Sequence, residues 1–539
     1  MLFLMGASTG AAYAVSNPGI TDVKIAQQDG ACTGIVKDAT GETVIGASVV
    51  VKGTTNGTIT GIDGDFSLSN VKKGDVIVIS FVGYISQEIV WDGKPVNVTL
   101  KDDTQTLDEV VVVGYGTQKK VNVTGAVGMV DSKVIAARPV QNVSQALQGV
   151  IPGLNLTVGN SGGSLDGEMN INIRGTGTIG DGSGSSPLVL IDGIEGNLNT
   201  VNPNDIESVS VLKDAASASI YGARASFGVI LVTTKSGKSG KTNVNYSGNV
   251  RFNDAIGIPE LMDSYTFAQY FNRASSNRGG GDIFSPAVME RIKAYQEGTL
   301  TATTVDNGSG IWQKWANANG NTDWFGEFYD NWVPSQEHNL SISGGTEKLQ
   351  YVLSGSFLDQ KGLLRHGTDK FQRYTLNSKI TANITDWLKV TLNSKWTRED
   401  FQRPTYLTSS FFHNLARKWP VHPAYDPNGF PMDEGEIEQM ENGGEQNSQK
   451  DYYTNQLHVV IEPIKNWRIN LEGSVRTTTQ YQHWEVLPVH AYDVNGDPYY
   501  TVWDMGYGSY SAGSSRVDEY SWKENYYTTN IYSDYFKQF

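Results

Sequence analysis

The chain has a single cysteine, Cys32, in 539 residues. That count excludes an internal disulfide framework and any zinc site built on cysteine. Gln28-Asp29-Gly30-Ala31 ahead of it contains no apolar lipobox, so Cys32 reads as a strand thiol rather than a lipid anchor. Long apolar runs are also missing, and nothing approaches the roughly 18 residues of a membrane-crossing helix. This excludes a helical span but not a barrel, whose strands cross with about 9–11 residues of alternating polarity. Positive charge is in deficit: 42 Lys+Arg stand against 57 Asp+Glu, a net charge of −15. That is the wrong sign for a nucleic-acid partner. Histidine is sparse, seven residues beginning only at His338. With no H-E-x-x-H, no nucleophile elbow and no Cys/His pair, the sequence offers no catalytic residue, no metal centre and no cofactor site. It argues against an enzyme.

What is present is glycine (59), tyrosine (26) and tryptophan (12) at an apolar fraction of 39%, the composition of a wet β-protein long enough for several domains. Residues 1–14 start apolar and end small-x-small at Ala12-Tyr13-Ala14, without a basic region. They read as the remnant of a signal peptide, followed by a polar leader over 15–31. Over 32–102, short alternating runs recur at Gly34–Val36, Ala47–Val51, Gly64–Leu68, Val76–Phe81, Ile85–Val90 and Val96–Leu100, divided by turn pairs such as Asn56-Gly57 and Asp92-Gly93. Six or seven strands so spaced predict a small β-sandwich. Four consecutive valines then stand between an acidic pair and Gly-Tyr-Gly in Thr106–Gly116. A strand apolar on both faces wants a partner strand.

The densest signal lies between Pro187 and Gly237. Two apolar runs, Leu188–Ile191 and Gly228–Thr234, flank an Asn-Pro-Asn-Asp start signal at 202–205, a strand at Val209–Leu212 and an Ala/Ser-rich helical turn closing on Tyr221-Gly222. Upstream, Asn142–Gly149 predicts a short helix, and Gly153–Val158 and Met169–Arg174 predict strands. Gly175 to Gly180 satisfies G-x-G-x-x-G, but the residues up to Pro187 cannot start the helix that would hold a pyrophosphate. It reads as a flexible loop. Residues 121–238 thus predict a small α+β module.

Ile191-Asp192-Gly193, Ile206–Ala215, and the exit Tyr221, Gly222, Arg224, Gly228–Ile230 and Thr233 resemble the plug domain of TonB-dependent outer-membrane transporters. The wording is similar to the SusC/RagA branch of Bacteroidetes glycan and peptide importers, and the 32–102 sandwich resembles their carboxypeptidase-regulatory-like extension. The resemblance implies a gated channel that imports oligosaccharides or peptides and breaks no bond in its cargo. It further implies that Asp108, Glu109, Val110, Val111, Val112 and Val113 form a TonB box over 106–116, which pairs with TonB by strand addition. Arg174-Gly175 matches the family's "IRG" position, where, with Arg224, a plug latch against barrel-wall carboxylates is expected. The implied partners are TonB with its inner-membrane energising complex, a SusD-like lipoprotein lid, the glycan or peptide cargo and outer-membrane lipid. The implied location is the outer membrane, with sandwich and TonB box in the periplasm.

From Thr242 the pattern changes to long amphipathic strands, at about 242–253, 337–344, 349–358, 371–383, 387–398, 454–462, 467–482 and 526–537. Tight joins at Gly344–Lys348, Ile384–Asp386 and Pro463–Asn466 contrast with long connections at 254–336 and 399–453, the asymmetry of an outer-membrane barrel. Trp387 and Trp467 beside two tight turns suit an interfacial girdle. The fold class is therefore mainly β: a sandwich, an α+β plug and, over 242–539, part of a transmembrane antiparallel barrel. About eight strands are present of the 22 that the resemblance implies. Eight strands close too narrow a barrel for a plug of about 120 residues, whose radius of gyration is near 13 Å. The expectation is a reading frame truncated or split mid-barrel.

In the connections, Trp312, Trp315, Trp324 and Trp332 crowd one long loop and Trp419 another. Flat rings stack on sugars and anchor interfaces, which makes these five the candidate contacts for cargo or lid. His413 and His422 share a loop with Asp426 and read as solvated side chains. The acidic run Asp433–Glu445 lacks ordered calcium-loop spacing and reads the same way. Two rival readings stay open: a lidless receptor for a metal chelate or vitamin, and a non-transporting β-rich surface-binding protein.

Overall fold

The computed structural model describes residues 30–536, except 39–40, 82–83, 102–109, 114–115, 120–125, 139, 159–163, 166, 176–185, 502, 505–508 and 511–513. The signal-peptide reading, most of the leader, Asp108, Glu109 and the G-x-G-x-x-G loop beyond Gly175 lie outside the described residues. The chain divides into two compact units, Met1–Glu109 and Val110–Phe539.

In the first unit the strands are β1 (Gly30–Lys37), β2 (Ser48–Val51), β3 (Gly57–Ile59), β4 (Asp65–Val71), β5 (Val76–Ser80), β6 (Gln87–Val90) and β7 (Val96–Thr99). They form two sheets, in orders β4-β1-β7 and β3-β2-β5-β6. Burial alternates along β4 and β5 as strand geometry requires. The inward residues, Cys32, Val49, Phe66, Leu68, Ile77, Ile79 and Trp91 among them, make one core. Gly34 is obligatory at the β1–β7 contact, because a Cβ there would overlap the carbonyl oxygen of Val96. The sandwich is as the turn spacing predicts, with β3 the strand that the spacing missed.

The second unit opens on an antiparallel hairpin, β8 (Val110–Val113) with β9 (Gly116–Lys119). The plug follows. β10 (Val127–Asp131) leads into α1 (Ser132–Ala136), capped by Asp131, and α2 (Val143–Leu147), capped by Asn142. β11 (Leu154–Val158) and β12 (Met169–Ile173) pair as a separate hairpin. Next come β13 (Leu188–Ile191), β14 (Ile194–Glu195), β15 (Ile206–Leu212), α3 (Ala215–Ala218) and β16 (Val229–Thr234). One sheet runs β10-β15-β16-β13-β14, with β13 and β16 parallel. Its middle strands are apolar on both faces: Val209, Val211, Ile230 and Val232 pack towards α1 and α2, while Leu212, Val229 and Leu231 pack with Ala218 and Ala225.

The remaining chain is an antiparallel meander. β17 (Gly240–Asn253) is followed by a long connection carrying α4 (Ser264–Asn277), α5 (Pro286–Gln296) and α6 (Trp324–Phe328). Then come β18 (Val333–Gly345), β19 (Leu349–Lys361), β20 (Lys370–Thr385) and β21 (Leu388–Pro404). A second long connection holds α7 (Ser409–Arg417) and α8 (Ile437–Asn442), before β22 (Glu445–Ile464) and β23 (Trp467–Val486). A third carries the small pairs β24 (His490–Tyr492) with β25 (Pro498–Tyr500) and β26 (Trp503–Asp504) with β27 (Ser509–Tyr510), before β28 (Arg516–Tyr535). β17 to β23 and β28 make one eight-stranded sheet in sequence order, a partial β-barrel. Its outward residues include Leu340, Leu353, Leu376, Leu392, Leu457, Leu471 and Ile531, all exposed. The opposite face is polar, with Glu337, Asn339, Arg373, Asn393 and Asn470 buried. Apolar out and polar in is the pattern of a lipid-facing wall. Trp387 and Trp467 are exposed at the tight-turn end.

Candidate functional site

The polar face of the wall meets the plug, and the contact centres on Asp192. Ile191 pairs with Ile194 across the β13–β14 hairpin, leaving Asp192-Gly193 as a two-residue turn with φ of 50° and 86°. Both values lie in the left-handed region that Asp-Gly and Asn-Gly turns serve. The turn carries the Asp192 carboxylate to the wall. Within the plug it accepts from Thr234 N (2.9 Å) and Thr234 Oγ1 (2.6 Å). From the wall it receives Lys379 Nζ of β20 (3.4 Å), and Lys395 Nζ and Asn393 Nδ2 of β21 (the latter at 3.0 Å). Gln456 Nε2 of β22 donates to the Asp192 backbone carbonyl at 3.1 Å. Burial alone would raise the pKa of this carboxyl. The two lysine charges, with hydrogen bonds from Lys395 and Thr234, outweigh it and hold the group ionised, well below the usual carboxylate range.

Other wall cations take plug carbonyls. Arg373 of β20, itself buried, donates to Asn199 O (2.7 Å) and Gln141 O (2.5 Å), and Arg476 of β23 donates to Glu195 O. Thr397 Oγ1 donates to Thr200 O (3.0 Å), and Asn202 Nδ2 donates to Asn339 Oδ1 (2.6 Å). Between these ties a cavity of about 500 Å³ separates plug from wall, lined in part by Glu168, Leu198, Lys450, Tyr452, Arg476 and Trp522. The arrangement is a docked stopper with a polar seam.

Residues 119–229 match the TonB-dependent Receptor Plug Domain, and residues 32–112 the CarboxypepD_reg-like domain. The TonB-dependent receptor SusC of Bacteroides thetaiotaomicron is 37% identical over 67% of the chain and 33% of its own length. TonB-dependent receptor P39 of Formosa agariphila is 33% identical over 72% of the chain and 34% of its own length. The chain belongs to the SusC/RagA-type TonB-dependent receptors. Among solved structures, the RagAB peptide importer in its open-open state superposes at a TM-score of 0.61, with 24% identity, 79% of this chain and 46% of that one covered. The chain spans about a third of the length of the curated relatives it matches.

The receptor family's motif residues fall in three places. Of the residues expected to form a TonB box, Val110, Val111, Val112 and Val113 form β8, whose backbone pairs with Gly116–Lys119. Arg174 is exposed at φ 59°, followed by Gly175 at φ 96°, and its backbone N–H donates to Gly153 O. Arg224 ion-pairs with Glu195 (2.6 Å) and donates to Tyr526 of β28 (3.1 Å). Asp192 is the residue that motif reading quoted only as part of a strand ending.

The long connections of the receptor are folded, which sequence reading missed. Trp324 is fully buried and packs with Phe328, Phe411 and Leu415. Trp419 packs against Phe267, Phe271 and Phe284 of the α4–α5 layer. Trp312 and Trp315 are half-buried, and Trp332 stands exposed. His422 is not solvated but wholly buried, stacked on Trp315 with ring centres 4.6 Å apart. Its Nε2 hydrogen bonds to Asp433 O at 3.0 Å, and Trp315 N donates to its Nδ1 at 3.4 Å, the pattern of a neutral ring. Burial first, then the nearby Lys418 charge, push its pKa down to about 3. The acidic run is likewise not solvated throughout. Asp433 and Glu434 pair with Lys314, and Glu436 with the buried Lys418.

Proposed function

We propose that this chain works in TonB-driven import across the outer membrane, with an oligosaccharide or peptide cargo delivered under a SusD-like lipoprotein lid. The observation that carries the reading is a plug domain docked on the polar face of a lipid-facing wall, because a plug has no use except to close a passage. The likeness to SusC and to RagAB, the latter described as a peptide importer, favours this cargo range over a chelate. In this reading β8 is the TonB box in the periplasm, and TonB adds to its free edge or displaces β9. Force passed into the plug then breaks its ties to the wall, and no bond of the cargo changes. Five tryptophans were candidates for contact with cargo or lid. Trp332 keeps that assignment best, and Trp312 and Trp315 keep part of their surface for it.

The test is affinity purification of the tagged full-length locus product from detergent-solubilised outer membranes, with mass identification of what accompanies it. A stoichiometric SusD-type lipoprotein supports the lidded importer. A well-folded membrane product without one moves the reading to a lidless receptor for a chelate or vitamin, and no membrane-embedded product rejects transport altogether.

A further inference from the structure

The Asp192-Gly193 turn does not need a charge. A two-residue hairpin with both φ values positive is served as well by Asn as by Asp. Inside the plug, Thr234 N and Thr234 Oγ1 bond the two separate Asp192 oxygens, and an amide serves both, accepting from the N–H through its oxygen and donating to the hydroxyl through its nitrogen. What uses the charge lies across the seam. The Lys379 and Lys395 side chains are 13% and 18% exposed, and their ammonium groups converge on a carboxylate that is 8% exposed. Two ammonium groups so placed repel one another, and each loses hydration, unless an anion sits between them. Arg373 and Arg476, by contrast, grip backbone carbonyls, which any plug sequence would present.

We propose that Asp192 is the anionic pin of the resting plug, the side chain whose charge, clasped between Lys379 and Lys395, keeps the plug seated on strands β20 and β21. The pin is a plug carboxylate on wall lysines, separate from the arginine latch that the resemblance implies. The pin rests on the reading of the chain as a plugged transporter and adds the residue that holds it shut.

The experiment is single-channel recording of the full-length protein in planar lipid bilayers over a urea series, which reads how easily the plug leaves its seat. Wild type should be silent without urea and conduct above a threshold concentration. Asp192→Asn should conduct at lower urea, with the conducting fraction at a fixed sub-threshold concentration raised about tenfold or more, since unpairing one partner of a buried ion pair is strongly destabilising. Lys379→Gln with Lys395→Gln reads the same pin from the wall and serves if the Asp192 variant does not insert. A variant neutral at all three positions (Asp192→Asn, Lys379→Met, Lys395→Met) should recover part of the wild-type threshold, as a charge effect requires and a turn defect would not. An unchanged threshold in both the Asp192 and the lysine variants overturns the pin while leaving the plugged channel intact. A wild-type protein that conducts without urea, or never conducts, overturns the transporter reading and the pin with it.

Discussion

His422 builds an acid dependence into the loop layer. Its ring is buried and neutral, with a pKa lowered to about 3 from the 6.5 of an exposed histidine. The unfolded chain therefore takes up a proton that the folded layer refuses. The stabilisation is complete above about pH 6.5 and is lost as pH falls towards 3, at up to about 1.4 kcal/mol per pH unit. Denaturation followed by tryptophan fluorescence should show this, because Trp315 stacks directly on the ring. Midpoints at pH 5 should lie below those at pH 7. His422→Asn should lower the pH 7 midpoint and flatten the difference between the two. Equal wild-type midpoints at both values would dispose of the idea. Neither this histidine nor Asp192 shows its role in the local sequence. The rings that cover His422, Trp315 and Trp324, come from the other long connection, and the ionic partners of Asp192 lie 187 and 203 residues further on. No local pattern selects those two lysines among the many of the barrel strands.

Elements are more legible than residues, for reasons that differ by type. All eight wall strands follow from two-residue periodicity, and three neighbouring pairs also from the tight turns that join them, because one face must meet lipid and the other the plug. The ends were placed short: β22 begins at Glu445 rather than near 454, since strands that rise beyond the bilayer lose their apolar alternation. Helices α4 and α5 escaped notice although their start signals are present. Asp263 caps α4 by accepting from Tyr265 N and Thr266 N, and Ser285-Pro286 opens α5 with proline in its first turn. Aromatic crowding in the same stretch suggested binding surfaces, whereas most of those rings are the core that these helices bury. At β8 the apolar wording is legible but the pairing with β9 is not. Val111→Pro would remove a backbone donor while keeping an apolar side chain. If β8 is the TonB box, uptake should fall to the level of cells without TonB, with the amount in the outer membrane unchanged. Normal uptake in that variant would sink the assignment.

At the scale of the whole molecule the wall has two edge strands. Among the described residues β17 and β28 each pair on one side only, at opposite ends of the eight-stranded sheet. Side chains along β17 and β28 are mostly exposed, including Val244, Tyr246, Val250, Tyr527 and Ile531. In hydrocarbon, an edge strand leaves a row of N–H and C=O groups with no partner, at several kcal/mol for each group. Nor can the sheet bend round to join its own ends, because eight strands enclose room for little beyond their own side chains and the plug already covers the polar face. Residues 1–539 expressed alone should therefore fail to form a sealed, heat-modifiable barrel, and should be extracted from membranes by urea or recovered as aggregates through edge pairing. The comparison is with the full-length locus product under the same conditions. A heat-modifiable, urea-resistant species from residues 1–539 alone would mean that the two edges find partners in a second copy, and would make the wall an assembly of chains rather than a segment of one.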